Sequence, residues 1–223
     1  MYSLKFFLVV LILAVVSCSN PDQKKEVSPM TLVPVDYSDP HFANLIKAKV
    51  VTPGKWKVTY LVLPDSTKYH DLYVQCSKDS VQATWCCKDL LLKNELSPLF
   101  WLETKEAIYF NFGDTANGPD LLVFSKKSND KFREYRNIVK ADYEKGIIVY
   151  LSERCFQEGK PYELMLGDIP KMKRHRIPYP YFCSSANKAS AVDSVIFSAR
   201  DVSIITTLTD NEKKYKQTRV IKR

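Results

Sequence analysis

Between Trp56 and Leu166 the chain is a succession of short apolar runs, rich in β-branched and aromatic residues and separated by polar turn clusters. Runs of this length and composition are strands, and their nearly regular spacing argues an all-β fold of sandwich or barrel type. The clearest unit is Val139–Leu151, VKADYEKGIIVYL, where two apolar runs face each other across Asp142, Tyr143, Glu144, Lys145 and Gly146. That is a hairpin signal. Strands are expected over Trp56–Leu63, Leu72–Cys76, Val81–Cys87, Leu99–Leu102, Ala107–Phe112, Leu121–Ser125, Phe132–Lys140, Ile147–Leu151 and Tyr162–Leu166. In the first of these Trp56, Val58, Tyr60 and Val62 alternate onto one face. No helical segments alternate with the strands, which argues against a parallel α/β sheet, and no internal repeat is visible.

The pattern changes after Leu166. Lys171–Phe182 is basic and then proline-locked, so it reads as a loop. In Ser184–Ala199 the residues Ala186, Ala189, Val192, Ile196 and Ala199 recur at three and four, the period of a helical face. Val202–Leu208 reads as one more strand and Thr209–Arg223 as a basic tail. At the other end, residues 1–17 carry a short apolar run behind one lysine, closing on small residues, which is a secretory signal. Residues 18–40 are polar and punctuated by proline, an expected poorly ordered tether. His41–Val51, with Phe42, Leu45, Ile46 and Lys49, reads as a short helix or a lead-in strand. The folded domain is expected over residues 41–209, with 210–223 as the tail; 223 residues suffice for one sizeable core.

Two short motifs sharpen the expected fold. Gly54-Lys55-Trp56 opens the first strand, and Ala141-Asp142-Tyr143 lies between two late strands. In this order and separation they resemble the Gly-x-Trp and Thr-Asp-Tyr motifs of the lipocalin family, with Ala141 standing where the family has threonine. The resemblance implies a single eight-stranded up-and-down antiparallel barrel with a C-terminal helix and a short ninth strand. It implies that Trp56 closes the narrow end from inside. The family's third element, an arginine packed over that tryptophan, would fall at Lys171, Lys173 or Arg174. It also implies a secreted carrier that binds a small hydrophobic ligand in the barrel cavity. Tyr60, Tyr73, Trp85, Trp101, Tyr109, Phe110 and Phe112 are the candidates to line it; in a filled barrel or sandwich the same residues are core.

Export makes the cysteines disulfide candidates before anything else. They are Cys76, Cys86, Cys87, Cys155 and Cys183, with Cys86 and Cys87 pointing to opposite faces of one strand. Val15-Val16-Ser17-Cys18 reads either as a plain signal site or as a bacterial lipobox that would place a diacylglycerol on Cys18. A reactive thiol needs a depressed pKa, for which nothing here argues. Cys76, Cys86, Cys87 and His70 have no zinc spacing. His41, His70 and His175 accompany no nucleophile motif, and the six glycines form no phosphate loop. No catalytic residue, metal or cofactor is therefore expected.

Charge supplies the second functional expectation. The chain carries a formal +8, and Lys171–Arg223 holds twelve Lys and Arg against four acids, so the rest is close to neutral. Such a segment invites an anionic partner, a glycan or a membrane surface, with nucleic acid not expected. Lys171, Lys173, Arg174, Arg176, Lys213 and Lys214 are the candidate patch. The same charge also fits a solvated tail. Two other expectations follow: a bacterial outer-membrane lipoprotein with a β-rich, macromolecule-binding body, or a secreted filled barrel acting through its basic C-terminal segment.

Overall fold

The structure, a computed structural model, describes residues 31–36, 38, 50–63, 71–87, 97–127, 132–171, 173–210 and 212–223, without the side chains of 112, 114, 115 and 210. The expected signal segment, Cys18, most of the His41–Val51 lead-in and His70 lie outside the described residues, as does the side chain of Phe112.

Leu32–Arg223 forms four antiparallel sheets, met in chain order. The first contains β1 (Val33–Pro34), β2 (Val50–Val51), β3 (Lys57–Val62), β4 (Leu72–Lys78) and β5 (Val81–Cys87). The second is β6 (Leu99–Glu103), β7 (Ala107–Thr115), β8 (Gly118–Ser125) and β9 (Phe132–Tyr135). The third is β10 (Ile138–Asp142), β11 (Ile147–Leu151), β12 (Glu163–Asp168) and β13 (Lys173–Pro178). The fourth is β14 (Val192–Phe197), β15 (Asp201–Asp210) and β16 (Lys213–Lys222). In the last three sheets every strand pairs with its neighbour in sequence.

Alternation along the strands stacks these sheets through three apolar layers. Val58, Tyr60 and Val74 of the first sheet meet Ile108, Phe110, Leu122 and Phe124 of the second. The opposite face of the second sheet, Tyr109, Leu121, Val123 and Tyr135, meets Ile148 and Tyr150 of the third. Ile147, Val149, Leu164 and Leu166 then meet Val202, Ile204 and Leu208 of the fourth. Among the described residues no core layer joins the first sheet to the fourth.

The all-β expectation holds, and the expected hairpin forms, with Asp142 opposite Ile147. The single eight-stranded barrel does not form. Its expected strand Phe132–Lys140 is two strands, broken at Arg136–Asn137, where Asn137 takes a positive φ of 54°. Asn tolerates that conformation, and its N–H donates to Asp120 Oδ1 at 2.7 Å. The chain leaves one sheet there and starts the next. β11 is buried at all five residues, as a strand lying between two layers must be.

Three further expectations are corrected. The helix over Ser184–Ala199 is a single 3₁₀ turn, Lys188–Ala191, followed by β14. Asn187 caps the turn by accepting from Ala189 and Ser190, and the β-branched Val192, Val195 and Ile196 then favour extended backbone. The expected loop after Lys171 contains β13, paired residue for residue with β12. The expected basic tail is β16, paired with β15 from Asp201–Lys222 to Asp210–Lys213, with Tyr215, Gln217 and Ile221 turned inward and lysines outward.

No disulfide joins the five described cysteines. Across the β4–β5 ladder Cys76 faces Ala83, Cys86 faces Tyr73 and Cys87 faces Leu72, so no cysteine opposes another. Cys155 Sγ lies against the backbone of Glu163 instead, donating to its carbonyl at 2.8 Å and accepting from its N–H at 3.1 Å. Burial pushes the Cys76 and Cys155 thiols up, away from the reactive thiolate. No described helix is long and apolar enough to cross a membrane.

Candidate functional site

The described residues named for a barrel cavity are divided among two apolar layers and the surface. Tyr60 and Phe110 are buried in the first layer and Tyr109 in the second. Trp85 packs partly buried against the first layer. Tyr73 faces away from it, beside Cys86, with its phenol pushed up to about 12 by burial first and the thiol second. Trp101 is half exposed, edge-on to Tyr143 at 4.8 Å.

The two sequence motifs also anchor separate layers. Gly54 donates its N–H to Glu103 Oε2 at 2.6 Å, and Lys126 Nζ holds the other oxygen at 2.5 Å. A Cβ at residue 54 would overlap that carboxylate, so glycine is required for the contact. Burial alone would raise the Glu103 carboxyl; the bonds from Lys126, Gly54 and Thr52 hold it below its ordinary value. Trp56 is buried edge-on to Phe124 at 4.9 Å in the first layer. Asp142 ends β10 and Tyr143 opens the β10–β11 turn, where it meets Tyr109 at 5.3 Å. The cation–π contact expected at Trp56 is made elsewhere: Arg174 lies over Tyr135, 5.4 Å from the ring centroid.

That contact opens onto a polar cleft. Where β9, the outer strand of the second sheet, passes β12 and β13 of the third, a cleft of about 380 Å³ opens to solvent. Four arginines line it from three parts of the chain: Arg136 after β9, Arg154 in the 3₁₀ turn Glu153–Phe156, and Arg174 and Arg176 on β13. Glu134, Glu153 and Glu163 are the carboxylates of the lining.

Glu163 organises the floor. It is 4% exposed, and its Oε2 accepts from Arg176 Nη2 at 2.7 Å and Nε at 3.0 Å. Its Oε1 accepts from Ser152 Oγ at 2.7 Å, and the same hydroxyl accepts from the Arg154 N–H at 3.3 Å. Burial would raise this carboxyl, but the bonds from Arg176 and Ser152 and the charges of Arg176 and Arg154 hold it low. It therefore stays ionised and fixes Arg176, whose guanidinium remains more than half exposed. Arg136 is tied to Glu134 at 3.1 Å at the rim, a solvent-screened pair that a better ligand can displace.

Local sequence explains the wall. Tyr135 crosses from the second sheet onto the third and packs edge-on to Tyr150 at 5.3 Å. It has room because residue 167 is glycine: a Cβ there would stand 2.6 Å from Tyr135 Cε1. Arg174, opposite Gly167 in the ladder, lies on the ring and also donates to the Glu134 carbonyl at 3.3 Å. Planar guanidinium groups held at a concave surface suit carboxylate, sulfate or phosphate oxygens.

Of the basic patch named from sequence, Arg174 and Arg176 enter this cleft. Lys171 lines another, Lys173 starts β13, and Lys213 and Lys214 start β16 and line neither. Sequence reasoning missed Arg136, Arg154 and the buried Glu163, which fall in a strand break, a 3₁₀ turn and a strand end. Among the described residues no three His, Cys, Asp or Glu side chains converge as metal ligands. Comparison with family models, with curated proteins and with solved structures returned no match.

Proposed function

We propose that the chain is a binding protein that takes an anionic group into the arginine cleft between the second and third sheets, without transforming it. The observation that carries this is the convergence of Arg136, Arg154, Arg174 and Arg176 around a buried, fully hydrogen-bonded Glu163. A buried carboxylate that fixes one arginine, with a second arginine laid on an aromatic ring, preorganises the donors and lowers the ordering cost of binding. An interior carrier site has less support, because Tyr60 and Phe110 are buried in one layer, Tyr109 in another, and Trp101 is half exposed. We take the protein to be exported, on the strength of the Lys5–Ser17 segment, with a lipid on Cys18 as the anchored variant of the same proposal.

The test is calorimetric titration of the full chain with a sulfated disaccharide at low and at near-physiological salt. Binding should weaken with salt and fall about tenfold, roughly 1.4 kcal/mol, in Arg174→Ala. It should be unchanged in Lys213→Ala, which lies outside the cleft. Equal binding by wild type and Arg174→Ala would remove the cleft from the function.

A further inference from the structure

The 3₁₀ turn Glu153–Phe156 contributes to two recesses. Glu153 and Arg154 line the arginine cleft, whereas Cys155 and Phe156 line a separate, solvent-open cleft of about 330 Å³. Cys183 lines that same cleft, together with Tyr162, Phe182 and Lys188. Cys155 is 7% exposed and Cys183 is half-buried. Both belong to the apolar layer between the third and fourth sheets, Cys183 at its margin.

Hydrogen bonds through Tyr162 hold the two cysteine segments together. Cys155 Sγ lies against Glu163, donating to its carbonyl at 2.8 Å. The N–H of Tyr162, the preceding residue, donates at 2.9 Å to the carbonyl of Tyr181, just ahead of Cys183. Tyr162 Oη donates to the Lys188 carbonyl at 2.9 Å, and Lys188 Nζ turns back to donate to the Cys183 carbonyl. Burial is the first reason the Cys155 thiol is pushed up, and the charge of Cys183 adds to it, so the two sulfurs lie within each other's field. Residues 179–187 form neither helix nor strand, which leaves their backbone free to take up the shift that disulfide geometry asks for. The other three described cysteines stand on β4 and β5 of the first sheet, where none opposes another.

We infer that Cys155 and Cys183 are a dithiol pair that closes to a disulfide by exchange with a small-molecule disulfide such as oxidised glutathione. Cys183, the more exposed thiol, attacks one sulfur of the oxidant as its thiolate. A mixed disulfide forms at Cys183, and the departing glutathione thiolate takes up a proton. Cys155 then gives its proton to solvent and attacks the Cys183 sulfur, expelling the second glutathione. The protein loses two electrons and two protons, and one glutathione disulfide becomes two glutathione thiols. The Glu163 N–H, 3.1 Å from Cys155 Sγ, stabilises the thiolate through which the second step passes. The closed bond ties the turn that carries Arg154 to the segment leading into β14, and it encloses the β12–β13 hairpin. It does not depend on what the arginine cleft binds.

The experiment incubates the reduced, folded full chain in glutathione buffers of graded redox ratio, quenches with an alkylating reagent and maps the digest by mass spectrometry. In the oxidising buffers wild type should remain a monomer, lose the mass of two hydrogens and yield a linked peptide that joins Cys155 to Cys183. Cys183→Ser should lose that link entirely, and Cys86→Ser should form it as wild type does. Recovery of Cys155 and Cys183 as alkylated thiols from the most oxidising buffer overturns the pair. So does a link from either of them to Cys18, Cys76, Cys86, Cys87 or a second chain. A Cys155–Cys183 link that forms only in denaturant also overturns it, because the native fold would then hold the two sulfurs apart. Mapping wild type directly keeps the result independent of whether a variant folds.

Discussion

Gly167 and Tyr135 show how one missing methyl group fixes a binding wall. The ring occupies the space that a side chain at 167 would take, and Arg174 then has a surface to lie on. Gly167→Ala should force the ring aside and cost about 1–3 kcal/mol by overpacking. A lowered denaturant midpoint with an unchanged slope would register that cost, and disaccharide affinity should fall with it. Two buried carboxylates make a second prediction at this scale. Glu103 and Glu163 both bind protons less readily in the folded chain than their ordinary values imply. Stability from a depressed carboxyl is complete above the unfolded value and is lost as pH falls through the folded one, so thermal stability should decline from about pH 5 downward. In Glu103→Gln that acid decline should be shallower, and stability at neutral pH lower by about 1–3 kcal/mol. An unchanged pH profile of the melting temperature would mean the Lys126–Glu103–Gly54 contacts contribute nothing.

Strands were legible one at a time because each carries its own period. β5 and β11 begin and end where alternation and apolar content place them, and the Asp142–Gly146 turn is written in its residues. Which sheet a strand joins is not a local property. The division at Asn137 rests on one residue in the left-handed region, and a polar residue inside an otherwise strand-like run gave little warning. Asn137→Gly should be nearly neutral, whereas Asn137→Leu should cost about 1–2 kcal/mol, because a bulky side chain resists that conformation. Chemical denaturation of the two variants side by side measures the difference. At the C-terminus charge masked the pattern: Tyr215, Gln217 and Ile221 alternate inward between lysines, and the lysines dominated. Deleting residues 211–223 therefore removes a ten-residue strand. It removes Arg219 and Tyr215, the cross-strand neighbours of Ile204 and Leu208, and leaves β15 an open edge, so stability should fall by about 3 kcal/mol or more, with aggregation, where loss of a solvated tail would leave the melting temperature unchanged. The clefts were half legible for the same reason. Lys171, Arg174 and Arg176 stood out in a basic run, while Arg136 and Arg154 come from separate segments that only the stacking of sheets brings near.

For the whole molecule, the signal against a barrel was present in the central runs. A barrel strand has one inward and one outward face, but Ile147–Leu151 and Leu121–Phe124 are apolar at every position, which fits strands covered on both faces. Sheets stacked in sequence order contact chiefly their neighbours, so stability should be distributed along the stack rather than shared equally. The second and third sheets each contribute to two apolar layers. The fourth contributes to one and leaves Ile196 58% and Val220 61% exposed on its other side. Amide exchange should therefore be slowest in β7, β8, β11 and β12, and measurably faster in β14 and β16 under native conditions. Trp56→Ala, which empties the first layer at a cost of about 3–5 kcal/mol, should accelerate exchange in β3 and β4 more than in β15. Uniform acceleration across all four sheets would make the stack one cooperative unit instead. A graded response would also bear on binding. The arginine cleft lies between the two best-covered sheets, which leaves its guanidinium groups standing on the most stable part of the fold.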